Sequence, residues 1–83
     1  MFTEKTHFCL YSRAKGYFVN KTVSNVVVGY MFNDIHEFDY ESIRIFKKYE
    51  EREARDLVKS LKKDTPDLML VTIKTVIYPS EED

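Results

Sequence analysis

Hydrophobic and polar positions change period along the chain, and the changes mark the elements. Residues 6–13, Thr-His-Phe-Cys-Leu-Tyr-Ser-Arg, are rich in aromatic and β-forming types. Phe8 and Leu10 alternate with Cys9 and Tyr11, so this segment predicts a strand. Ala14-Lys15-Gly16 follows, and Gly16 suits a short hairpin turn because it takes positive φ without a Cβ clash. Residues 17–22 return as a second strand. Val23-Ser24-Asn25 is a turn, and residues 26–32, Val-Val-Val-Gly-Tyr-Met-Phe, are a third strand. Apart from Gly29 the third strand is apolar on both faces, which predicts an interior position in the sheet.

Residues 33–41 are polar with spaced apolar positions and predict a turn or a short helical turn; residues 42–46 predict a short strand. From 49 to 63 the period becomes helical. Ala54, Leu57, Val58 and Leu61 follow the spacing of one buried face. Glu50, Glu51 and Glu53 lie in the first turns and Lys62 and Lys63 at the end, as the helix dipole favours. The N-cap is poor, since Lys48 stands three residues before Glu51, where Ser, Thr or Asp would complete a capping box. Pro66 stops the helix. Residues 68–78 predict the longest strand, and 79–83 a solvated acidic tail.

The order β-β-β-(short element)-β-α-β predicts an α+β fold: an antiparallel or mixed sheet of four or five strands with one helix on one face. The expected division is a single domain over 1–78 and a tail over 79–83. Such a sheet is roughly 19–24 Å wide at about 4.8 Å per strand. A helix is about 10–12 Å across and covers at most half of one face. Yet Met69, Val71, Ile73 and Ile77 share one face of the last strand, and Leu68, Leu70, Val76 and Tyr78 the other. A spare apolar sheet face predicts a partner surface, with a two-fold homodimer as one way to fill it. The alternative is that the loop at 33–41 folds over that face and completes a monomeric core.

Composition narrows the chemistry. The chain has 83 residues, 13 Lys or Arg, 14 Asp or Glu, and a net charge of −1. That balance excludes a histone-like polycation and a strongly acidic nucleic-acid mimic. With a single cysteine, Cys9, it has no intramolecular disulfide and no Cys-based zinc ribbon. No secretory h-region and no apolar run of membrane length stand in the sequence, so the expected location is the cytoplasm, with no membrane partner. Two glycines in the whole chain exclude a phosphate-cradling glycine loop.

Each candidate site has a plainer reading beside it. Asp34, His36, Glu37 and Asp39 are metal-ligand types, but no second histidine stands near them, and a solvated loop explains them better. His7 and Cys9 share one side of a strand at a spacing too long for a ready hydrogen bond, so Cys9 reads as a small buried apolar residue. No nucleophile, metal or nucleotide motif is present, which predicts a protein without catalytic residues, cofactor or metal. Residues 44–63 carry eight Lys or Arg against four Asp or Glu. Arg52, Arg55, Lys59, Lys62 and Lys63 form a basic helix stripe. With Tyr11, Tyr17 and Tyr78 as exposed aromatics, it is a candidate surface for single-stranded nucleic acid or a protein partner. The plainer reading is an ordinary charged helix face.

Three strings carry a family resemblance: Tyr11-Ser12-Arg13-Ala14-Lys15-Gly16-Tyr17-Phe18-Val19, then Ile45-Phe46-Lys47-Lys48-Tyr49-Glu50-Glu51-Arg52-Glu53-Ala54, then Pro66-Asp67-Leu68. Together they resemble very short open reading frames of bacteriophages and prophages of low-GC Gram-positive bacteria, with Lys48 in place of the usual helix cap. The motifs are structural and transfer no catalytic residue. The resemblance implies a non-enzymatic protein in the bacterial cytoplasm that binds and inhibits a host or defence protein.

Overall fold

The computed structural model describes residues 3–79. Its fold is α+β. Five antiparallel strands, β1 (Thr3–Ser12), β2 (Gly16–Val23), β3 (Val26–Phe32), β4 (Phe46–Lys47) and β5 (Met69–Ile77), form one curled sheet with a single helix, α1 (Glu51–Leu61). A 3₁₀ turn at Lys48–Glu50 leads into the helix. The predicted elements are all present, with the helix two residues shorter at each end. Residues 80–83, and with them most of the predicted tail, lie outside the described residues.

β1 organises the sheet. One edge pairs with β5 along its whole length, from Thr3 opposite Ile77 to Tyr11 opposite Met69. Its other edge is divided. Tyr11 and Ser12 pair with Tyr17 and Gly16 of β2, while His7 and Phe8 pair with Lys47 and Phe46 of β4. β2 therefore leaves β1 soon after the hairpin, and the two strands form a fork. The segment from Ser42 to Lys47 fills it. The Asn20 N–H donates to the Ser42 carbonyl at 2.9 Å and the Arg44 N–H to the Phe18 carbonyl at 3.0 Å, before the chain reaches β1 at Phe46. The strand expected over 42–46 is thus divided between two partners, with only Phe46 and Lys47 in regular pairing.

Alternation along β1 creates two cores. Phe8 and Leu10 point to the helix side and join Phe18, Phe46, Ala54 and Leu68, with Leu57, Val58, Leu61 and Phe32 packed around them. The helix face is the one the spacing predicts, and Ala54 at its centre is fully buried. Small alanine lets the helix axis approach the sheet closely. The first helical turn lacks a side-chain cap. Instead the Glu50 carboxylate accepts from the Lys47 N–H at 2.9 Å, the acidic half of a capping box without its serine.

Cys9 and Val19 point to the other side, where Ile43 joins them and Ile35, Ile45, Val71 and Ile73 pack around. Of the two readings of the second face, the structure shows the covering loop, with Ile35 inside the expected span 33–41 and Ile43 and Ile45 just beyond it. The return segment between β3 and β4 lays three isoleucines over it and completes a second, smaller core.

β3 is the larger correction. It is an edge strand and not an interior one, in the order β3-β2-β1-β4 with β5 on β1. The reason lies in where the later strands go: β4 and β5 both pair with β1, and nothing follows β3 on its outer side among the described residues. The radius of gyration is 14.8 Å, against roughly 12 Å for a compact chain of this length. The β2–β3 hairpin projects as an arm.

Candidate interaction surface

The arm is built from local rules. Ser24 and Asn25 take φ of 50° and 64°, which gives the two-residue turn whose twist matches a right-handed hairpin. Between Lys21 and Thr22 the register jumps from Gly29 to Val27, so Val28 is an extra residue on β3 and makes a β-bulge. Val23, Val26, Val27, Val28, Tyr30 and Met31 keep 38 to 61% of their surface exposed. β3 itself contains no charged residue.

Hydrogen-bond alternation shows which groups of β3 are open. Phe18 and Asn20 direct their backbone groups to the return segment. By the alternation of an antiparallel ladder, Val19 and Lys21 direct theirs to β3. On β3 the residues opposite Phe18 and Asn20 are Phe32 and Tyr30. Their N–H and C=O groups therefore point outward, to the side where the described residues place no strand. An edge of this kind is a template for another strand.

At the fork, an open cleft of about 350 Å³ is lined by His7, Asn20, Tyr40, Ile43, Arg44, Ile45 and Lys47. A second, of about 540 Å³, shares His7 and Lys47 and adds Glu4, Lys5, Thr6, Lys48 and Tyr49. Arg44 is already engaged: its guanidinium lies 4.2 Å from the Phe46 ring centroid and 5.1 Å from that of Tyr30, and it donates to the Ile45 carbonyl and the Glu50 carboxylate. Cys9 lies beneath the sheet surface, and burial pushes its thiol up to about 11. It is protonated at neutral pH, which suits packing and not nucleophilic attack.

The structure separates the residues expected to act together. Arg52, Arg55, Lys59, Lys62 and Lys63 are exposed; the first three fall within about 60° of helix arc, and Lys62 and Lys63 follow the end of α1. Arg55 donates to the Glu51 carboxylate at 2.8 and 3.0 Å, which holds that carboxyl below its usual range. Tyr11 and Tyr17 lie on the opposite face of the sheet, ring centroids 4.5 Å apart. They are half-buried under His36 and Phe38. Tyr78 is exposed just past the end of β5, at the far end of that strand from the residues that contact the helix. No tyrosine of the three lies beside the stripe.

The acidic loop is likewise structural. The Tyr11 hydroxyl meets His36 Nδ1 at 2.9 Å, and His36 Nε2 meets the Asp34 carboxylate at 2.9 Å. Asp39 accepts from the Ser42 hydroxyl at 2.7 Å and from the Glu41 N–H at 3.1 Å. The Tyr11–His36 bond ties the return segment to β1, and the other three are internal to that segment; Glu37 is exposed. Among the described residues no group of three or more His, Cys, Asp or Glu could hold a metal ion, and no helix is long and apolar enough to cross a membrane.

The arm was missed as a site because Val26–Phe32 reads equally as a buried interior strand and as an open edge. The signal that separates them is Gly29, a glycine inside a strand with no positive φ and no atom within 4 Å of where a Cβ would stand. No protein-family model matches the chain, and no curated protein or solved structure shows significant similarity to it.

Proposed function

We propose that the chain is a small non-enzymatic protein-binding module whose contact surface is the β2–β3 arm. The observation that carries this reading is the outer edge of β3, uncharged, apolar on both faces and open at Tyr30 and Phe32. An edge strand binds by backbone hydrogen bonds and gains selectivity from alternate side chains. Exposed apolar patches of this size on small proteins mark contact sites. The resemblance to short phage frames extends the proposal to a host or defence protein as the partner. The basic helix stripe supports the nucleic-acid reading less well, because its expected tyrosines stand elsewhere and Glu51 offsets Arg55.

Site-specific photo-cross-linking tests it. A photoreactive side chain at Val28 gives discrete protein adducts in a host lysate, and one at Lys59 gives none. Adducts from Lys59 alone, or a salt-sensitive shift of RNA or DNA that Lys59→Glu abolishes, would replace this reading with the second.

A further inference from the structure

We propose that β3 pairs with β3 of a second copy of this chain, antiparallel across a two-fold axis at Met31. The inference rests on the arm being the contact surface and names a second copy of the chain, in place of a host protein, as what meets the β3 edge.

Register follows from which groups are open. Only outward-facing residues exchange hydrogen bonds across a new seam, and on the regular part of β3 these are Tyr30 and Phe32. A symmetric antiparallel pairing that joins both sets Tyr30 opposite Phe32 of the second copy, and the converse, with Met31 facing Met31. The bulge at Val28 stays outside the seam. Tyr30 and Phe32 already pack against Phe18, with ring centroids 5.8 and 5.3 Å away. The pairing therefore joins the two aromatic layers into one, and aromatic cross-strand pairs favour such contacts.

Charge agrees with a second copy. A strand without charged residues meets itself without repulsion. The other long edge, β5, is guarded: Lys74 lies on it and Pro79 follows, the residues that blunt edges against pairing. Within the seam Tyr30 and Met31 keep 48 and 38% of their surface exposed, apolar area that a second strand would cover.

Sedimentation equilibrium of the full chain from 1 to 200 µM, with Gly29→Lys and Tyr30→Pro beside it, is the test. The native chain rises from 9.9 kDa to twice that mass. Gly29→Lys adds a charge where no atom stands within 4 Å of the new Cβ, opposite the exposed Lys21 of β2, and stays monomeric with an unchanged circular dichroism spectrum. Tyr30→Pro removes an outward N–H, which edge strands tolerate, and is monomeric too. A native chain that stays at the monomer mass overturns the pairing, as does a dimer that survives Gly29→Lys. Either result leaves the cross-linking test of the arm unaffected, so the two readings fail separately.

Discussion

The backbone of Ile35 crosses directly over Gly16: a Cβ built on Gly16 would stand 2.5 Å from the Ile35 carbonyl oxygen and 2.7 Å from its nitrogen. Gly16 also holds φ at +87°. The neighbouring Tyr17 N–H donates to the same carbonyl at 2.7 Å, so the return segment is fastened where it passes the hairpin. The contact carries the fold's second core, because Ile35 begins the cover over Cys9 and Val19. Gly16→Ala should cost at least about 2 kcal/mol, from the left-handed backbone and the clash together. Gly29→Ala should be neutral or stabilise the monomer by roughly 0.5–1 kcal/mol. Urea melts of the two variants at low concentration check the contrast.

Much of the fold is legible in the sequence because it rests on local period. The helix face at Ala54, Leu57, Val58 and Leu61 and the alternation of Phe8 and Leu10 with Cys9 need only spacing. Long-range placement is not local. That β2 leaves β1 after Tyr17, and that Ile43 fills the opening, depends on a segment 24 residues beyond Val19 in the chain. The later strands β4 and β5 then both join β1, so β3 is left outside, and an apolar run that reads as interior becomes an open edge. The basic stripe is legible for the same local reason, while the separation of Tyr11 and Tyr17 from it follows from which face each strand shows.

Asp67 ties the helix-to-β5 connection to the first hairpin. It accepts from the Ser12 hydroxyl at 2.7 Å and from the Ala14 N–H at 3.0 Å, and these bonds hold its carboxyl below the usual range. A carboxyl lowered on folding adds stability above its unfolded value, and that stability is lost as pH falls through the folded value. The urea midpoint of the native chain should exceed that of Asp67→Ala at pH 7. The gap should close towards the acid end of the titration, and a pH-independent gap would contradict the linkage.

Cys9 is fully buried and its thiol is pushed up to about 11. A thiol reagent at pH 8 should leave the native chain unmodified and react stoichiometrically in denaturing urea. Absorbance of the released chromophore gives the answer directly.

Phe46 joins the 3₁₀ turn, the helix and β1, at 2% exposure with the Arg44 guanidinium over its ring. Phe46→Ala should cost about 3–5 kcal/mol. Tyr49→Ala, at a side chain 81% exposed, should change stability by less than about 0.5 kcal/mol. Chemical denaturation monitored by circular dichroism separates the two.

Residue-resolved amide hydrogen exchange over a concentration series tests most directly whether the β3 edge is the contact surface. In dilute solution the Tyr30 and Phe32 amides exchange fast, while Met31, whose N–H faces β2, is protected. As the chain is concentrated, Tyr30 and Phe32 slow and the outer amides of β5 do not. Protection that instead appears on β5, or Tyr30 and Phe32 amides that remain fast at every concentration and in the presence of any bound protein, would contradict the account.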